Sequence, residues 1–336
     1  MNTDLDHFFQ HLPGPKDRQA VATSEAERNS WISTTGSSVR SNGAAEFVAR
    51  VSRADKLLFA ILLVSMSCSP QPAALPESSR LKALTNAPLH QFAESDVDFY
   101  LKSLDDYDWA VPQRVQHFAK KSIGQPYKLY LLGEGSHESY DADPLYCLSA
   151  SDCVTFVEHV YALALSHDWQ TYLDHLMRLR YKAGKIGMLS RNHFTEADWN
   201  MNNAWAFEDV TDRLAGGAAI PMRVAVDRAA FFKKYGIGQD IPVQVFETTY
   251  IRAKDISRME SRLEVGDIIE FVRGTSRVPY VGHMGLIADM SEVRAMLIHS
   301  AKPAVREQPL REYVHSSNKI IGIKILRYRG GAVRKN

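Results

Sequence analysis

The sequence predicts an α+β protein in which helices come first along the chain and an antiparallel sheet or partial barrel follows. Three observations carry that reading. Residues 109–119, 154–165 and 169–181 place apolar side chains at helical spacing. After about Ile241 the pattern changes to short apolar or alternating stretches, 241–251, 266–272, 280–288, 295–300 and 320–328, separated by turn residues. Between the two regimes, Ser151-Asp152-Cys153 leads small polar residues directly into an apolar run, which sets a thiol at the start of a helix.

A chain of 336 residues suffices for one large domain or two small ones with a full core. Its 40 basic and 39 acidic residues nearly cancel, so the charge offers nothing to nucleic acid or another polyanion. The three cysteines, Cys68, Cys147 and Cys153, are too few for a disulfide framework and lack CxxC spacing. There is no internal repeat, heptad pattern or glycine-rich phosphate loop.

Residues 1–50, rich in Ser, Ala, Thr and charge without periodicity, read as disordered or as a leader from a start placed too far upstream. Then a basic flank precedes Leu57 to Met66, ten almost purely apolar residues, followed by Ser67-Cys68. Ten residues make about 15 Å of helix, half a bilayer span. The 51–68 segment therefore reads as a secretory signal. The cysteine after it resembles the lipobox of bacterial lipoproteins, with Ser65 in place of the usual leucine; lipidation at Cys68 is the expectation. A polar, Pro-rich linker is expected over 69–95, and one domain from 96 to 336.

Along that domain the helix of 109–119 ends near Gly124, and Gly124-Gln125-Pro126-Tyr127 is a turn signal carrying an aromatic hydroxyl. Ser151 or Asp152 can cap the helix that begins at Cys153. The helix dipole favours a thiolate there by only about 1 kcal/mol, so a further cation, usually a histidine, is needed. His159 lies six residues on, about 240° around the helix, and cannot fold back onto the thiol. It and His175 read as structural. The long, glycine-punctuated stretch 184–221 carries Ser190-Arg191-Asn192-His193 and Trp199-Asn200-Met201-Asn202-Asn203, which makes it a candidate substrate loop.

Two predicted strands carry the remaining histidines of interest, His283 in Val-Gly-His-Met-Gly and His299 in Leu-Ile-His-Ser-Ala. A hairpin closed over Met290-Ser291-Glu292 and symmetric about Ser291 sets 283 opposite 299. The two Cβ atoms would then be roughly 4.5–5.5 Å apart on one face. Gly282 and Gly285 remove side chains where something must approach the backbone closely.

A cysteine at a helix start, then a histidine on a sheet, then a polar residue on the next strand, is papain-like logic. His283 would pair with Cys153 and later protonate the leaving amine, and His299 would fix the tautomer of His283. The backbone N–H of Cys153 and the Tyr127 hydroxyl would hold the oxyanion. At these residues the chain resembles the NlpC-type papain-like cysteine hydrolases of bacterial cell walls. The matches are Gly124-Gln-Pro-Tyr127, Asp152-Cys153, Gly266-Asp267, Gly282-His283-Met-Gly285 and His299. Asp152-Cys-Val-Thr-Phe-Val-Glu158, with Arg180-Tyr181 and Ser190-Arg-Asn-His193, resembles its N-acetylmuramoyl-L-alanine amidase-like branch.

The resemblance implies hydrolysis of an amide in peptidoglycan or muropeptides, most simply the bond from the lactyl group of N-acetylmuramic acid to L-alanine, with no metal or other cofactor. The catalytic residues implied are Cys153, His283 and His299. Oxyanion or substrate-binding residues are expected at Tyr127, Asp152, Arg191, His193, Trp199 and Asn203. Such a protein would face the periplasm from the outer membrane. The alternatives are an endopeptidase cutting the D-glutamyl–diamino acid bond and a non-catalytic wall-binding lipoprotein. A zinc site of Cys147, Cys153, His283 and His299 is the weakest rival, because Cys147 lies in an irregular stretch.

Overall fold

The computed structural model describes residues 76–132, 144–238, 240–291 and 294–330. The expected leader, the signal segment and Cys68 lie outside them. The expected linker does not stay extended. From Glu77 to Asn86 it forms helix α1, with Pro76 at the N-cap, followed by α2, Glu94–Leu104. Leu84, Leu89 and Phe92 are buried with Val97 and Tyr100 in the main core. The ammonium of Lys121 donates to the carbonyls of Leu84 (2.7 Å) and Ala87 (2.6 Å), which ties the end of α1 down. The compact part of the chain therefore begins some twenty residues before Asp96. The rest of the expected linker, residues 69–75, lies outside the described residues.

Helices α3 (Val111–Lys121), α4 (Cys153–Ala164) and α5 (Trp169–Arg180) follow the predicted spacing within a residue or two. Asp152 is the cap of α4. Its Oδ1 accepts from the Val154 and Thr155 N–H groups at 3.0 and 2.9 Å, and the Thr155 hydroxyl oxygen accepts from the Asp152 N–H at 2.8 Å. Asp168 caps α5 in the same way through Thr171. Helix α4 is apolar on every side because it is packed on every side, between α3, α5 and the sheet. Its C-terminal carbonyls meet a buried cation. Arg114 donates to Ala164 O at 2.9 Å and to Ser166 O, at the negative end of the helix dipole.

The sheet has eight antiparallel strands: β1 Phe207–Asp209, β2 Ala219–Val226, β3 Gln244–Arg252, β4 Ile268–Thr275, β5 Val278–Ser291, β6 Arg294–Ala301, β7 Ala304–Pro309 and β8 Ile320–Tyr328. Their spatial order is β2-β3-β8-β4-β5-β6-β7, with β1 paired to β8. Five strands match the predicted stretches. Of the three unpredicted strands, β1 has three residues and pairs β8, and β2 and β7 are the two ends of the strand order. Pro221 inside β2, and the charged, apolar-poor Ala304-Val-Arg-Glu-Gln-Pro309 of β7, suit an edge and blunt the strand signal for the same reason. One face of the sheet, with Ile268, Met284, Leu286 and Ile298, packs on α4 and its neighbouring helices. The other, with Phe271, Ile287, Leu297 and Ile323, packs beneath a short helix at Leu310–His315 and the 3-10 turns of residues 253–262.

Candidate active site

Cys153 is the first residue of α4 and is buried. What precedes it is clamped from two sides. The Ser151 N–H donates to Pro126 O and its carbonyl accepts from Lys128 N–H, both at 3.0 Å, so Tyr127 runs parallel beside Ser151. The Ser300 hydroxyl donates to the same Ser151 carbonyl at 2.9 Å, and the Ser151 hydroxyl donates to Gln125 Oε1 at 2.8 Å. Ser300 is the residue after His299. The start of the thiol-bearing helix is thus bonded to the strand that carries a histidine.

His283 and His299 meet, but not as directly opposed residues. The observed pairs are Leu286 with Ile298 and Ile287 with Leu297, then Asp289 with Met296 after a bulge, and Ser291 with Arg294. The expected symmetry about Ser291 is therefore corrected: the strands turn beyond Ser291 and Ala288 is an extra residue. Continuing the register one step sets Gly285, not His283, opposite His299. His283 reaches across the diagonal, with Nε2 2.7 Å from His299 Nδ1. Gly285 permits this. A Cβ there would sit 2.8 Å from His299 Cβ and 2.8 Å from Leu297 Cδ1, closer than packed carbons come.

The far nitrogen of His299 is held by a residue that sequence reading missed. The side-chain amide of Gln308, on β7, lies 2.6 Å from His299 Nε2. Burial, with the charge of Arg306 adding to it, pushes the His299 pKa down to about 3. His299 is thus a neutral ring whose tautomer its two partners choose. Tyr313, also missed, stacks its ring 4.4 Å from that of His299 and 5.7 Å from that of His283. Burial raises its phenol above the ordinary value, Cys153 raises it further and Arg273 opposes both. The thiol, both histidines and Arg273 therefore share Tyr313 as a neighbour. Both residues come from the segment 304–315, whose short edge strand and six-residue helix leave little periodicity to read.

The other expected site residues are placed variously. Tyr127 stands two residues from the thiol through Ser151, half-buried. The Asp152 carboxylate is engaged in the helix cap. Trp199 and Asn203 face inward. The Trp199 indole donates to Glu158 at 3.0 Å and stacks on Phe207, and the Asn203 amide donates to Leu179 O at 2.9 Å. The π-helix Thr195–Trp199 turns them toward the core. Arg191 is buried and donates to Leu132 O at 3.1 Å. His193 lies 2.7 Å from Met188 O, against Phe231 and Phe232. The contacts named for these four residues run to the core and to their own loop. His159 bridges Thr155 O (2.7 Å) and the Cys147 N–H (3.1 Å), a structural role.

Next to the site on β4 is a buried carboxyl. Glu270 pairs in register with Met284 on β5 and with Lys324 on β8, and accepts from Asn200 Nδ2 at 3.1 Å. Its other oxygen has no hydrogen-bond partner. Lys324 is bonded instead to Asp209 (2.6 Å) and Thr248 (2.5 Å). Burial, with Glu196 adding and Lys324 opposing, pushes the Glu270 pKa up to about 8.

The frame is thus a histidine-bearing antiparallel sheet packed against a buried helix with a cysteine at its N-terminus. The AmiA-like family, described as N-acetylmuramoyl-L-alanine amidase-like, matches residues 117–323, more than half of the chain, and the protein belongs to it. No curated protein matches the sequence. Among solved structures, a Legionella pneumophila protein superposes with a TM-score of 0.63 at 21% identity, over 71% of this chain and 95% of its own. An N-acetylmuramoyl-L-alanine amidase from Bacteroides uniformis superposes with a TM-score of 0.54 at 23% identity, over 66% of this chain and 99% of its own.

Two expectations follow from the geometry. Gly285→Ala should displace His299, costing about 1–3 kcal/mol of stability as an overpacked site and changing the imidazole 15N resonances of both histidines. Unaltered resonances would refute the close-approach argument. Glu270 keeps a proton in the folded protein that the unfolded chain releases, so its effect on stability is lost as pH rises from about 4.5 to about 8. Wild type should therefore weaken relative to Glu270→Gln in urea denaturation between pH 5 and pH 9, by on the order of a few kcal/mol. Parallel pH profiles would contradict the buried, protonated carboxyl.

Proposed function

We propose that the protein is a papain-like cell-wall amidase that cleaves the N-acetylmuramoyl–L-alanine bond of peptidoglycan or its fragments, with Cys153 as nucleophile, His283 as base and acid, and His299 as the orienting residue. The observation that carries this reading is the 2.7 Å contact between His283 Nε2 and His299 Nδ1, on the strand bonded through Ser300 to the start of the Cys153 helix. Family membership supports the substrate class.

With Nε2 engaged by His299, Nδ1 is the His283 nitrogen that serves the thiol. It takes the Cys153 proton, and the thiolate attacks the lactyl carbonyl carbon. The resulting oxyanion is held by the Cys153 backbone N–H at the helix N-terminus, with the Tyr127 hydroxyl as second donor. As the intermediate collapses, the C–N bond breaks and His283 returns its proton to the L-alanine nitrogen. Water, deprotonated by His283, then opens the thioester and restores the thiol. In the imidazolium stage His283 donates from Nε2 to His299 Nδ1. His299 must then carry its own proton on Nε2, which requires the Gln308 amide, whose nitrogen lies 2.6 Å from Nε2, to turn its oxygen there. A neutral His299 suits this acceptor role.

Cys153→Ala should abolish hydrolysis of a defined muropeptide while leaving the circular dichroism and thermal midpoint unchanged. Mass spectrometry of the wild-type products should show an L-alanine-headed peptide and the free sugar acid. Turnover by the variant, or a shortened stem still attached to the sugar, would overturn the mechanism or the bond assignment respectively.

The reading includes an envelope location, supported by the basic flank, apolar run and Cys68 that precede the described residues. Expression in a secreting bacterium with a clickable fatty acid should label the wild type and not Cys68→Ala; an unlabelled wild type would remove the anchor.

A further inference from the structure

The sheet face that carries the histidine pair also carries a guanidinium with an unfilled donor. On β4, Phe271 lies in register with His283, and Arg273 follows two residues later, in register with Tyr280. Strand alternation puts Arg273 on the face of Phe271 and His283. Its aliphatic stem crosses β5 directly above Gly282: a Cβ at that position would lie 2.7 Å from Arg273 Cδ and 3.0 Å from the Tyr280 ring. Gly282 is the residue that the β4–β5 register passes over between Val281 and His283. The glycine and the bulge together let Arg273 run past the residue before the proposed base.

The head of that side chain reaches the Tyr313 hydroxyl, to which Cys153 is also a neighbour. Nε of Arg273 is buried and has no hydrogen-bond partner. None of the ion pairs formed among the described residues includes Arg273. Arg273, Tyr280, Gly282 and Tyr313 keep partial exposure, whereas His299 behind them has none. A guanidinium without a counter-ion, half withdrawn from water beside a reactive centre, is an unsatisfied charge whose natural complement is a carboxylate held by two parallel hydrogen bonds.

We propose that Arg273, with the Tyr313 hydroxyl beside it, binds a carboxylate of the peptide portion of the substrate and so selects amides that carry free acid groups near the scissile bond. The proposal rests on the amide-hydrolase reading above, since it assigns a substrate feature to that same site. Tyr313, sharing one ring face with the histidines, would couple occupation of this anion site to their alignment.

The test compares two muropeptides that differ only in whether the second residue of the stem carries a free carboxylate or a carboxamide, with wild type, Arg273→Gln and Arg273→Lys. Wild type should prefer the acid at least tenfold in kcat/KM, through KM. Arg273→Gln should abolish that preference, its loss in kcat/KM falling at least tenfold more heavily on the acid than on the carboxamide, and Arg273→Lys should keep part of it. Calorimetric binding of the free-acid muropeptide to Cys153→Ala should weaken with added salt and disappear when Arg273→Gln is added. Equal losses on both substrates would reduce Arg273 to support for Tyr313, and an unchanged preference would remove it from the site; either result overturns the proposal. Turnover by Cys153→Ala would instead overturn the reaction assignment and leave the binding result standing.

Discussion

One backbone carbonyl at the start of α4 is bonded to both the preceding turn and the sheet. Ser151 O accepts from Lys128 N–H and from the Ser300 hydroxyl, and those two bonds join the turn before α4, the helix start itself and strand β6. A buried carbonyl with two donors is fully satisfied. The residues around it are fixed to within the tolerance of a hydrogen bond. Asp152 then directs the next residues into the helix, which leaves Cys153 no freedom of main-chain position. Every chemical property assigned to the site depends on that seam, because the thiol and the histidines come from parts of the chain 130 residues apart.

Much of the frame was legible in the sequence, and the reasons differ by element. Helices α3, α4 and α5 have long periodic apolar faces and clear caps, so local pattern and tertiary structure agree. The central strands declared themselves by apolar content, and the edges β2 and β7 concealed themselves by the features that protect an edge from pairing further. The histidine pair was visible as a motif, yet its register was not. The register skips Ala288 and pairs Ser291 with Arg294, an irregularity that no symmetric hairpin argument includes. Gln308 and Tyr313 were invisible for a simpler reason. Glutamine and tyrosine in a short charged segment signify nothing until the fold brings them to His299.

The loop of residues 184–206 shows how a polar and aromatic composition divides between surface and core. Trp199, Asn203 and Arg191 carry hydrogen-bonding groups that suggest a binding surface, but each residue donates to an internal partner. They hold a segment with little regular structure against α4 and α5, in place of the backbone ladders it lacks. Glu196 does the same for the sheet, accepting from Val281 N–H at 2.7 Å where β5 bulges. The polarity of the stretch is therefore compatible with a scaffold that supports the strand of His283 from behind.

The position of the last strand carries a further consequence. β8 lies between β3 and β4, and also pairs with β1, so the last of the described strands completes the middle of the sheet and not its rim. While the chain is being synthesised, both histidines and the thiol exist before β4 has its second neighbour. Non-local strand insertion of this kind is slow compared with helix formation. Assembly of the sheet around the proposed site thus waits for β8, a delay that would suit a protein whose proposed substrate encloses the cell that makes it.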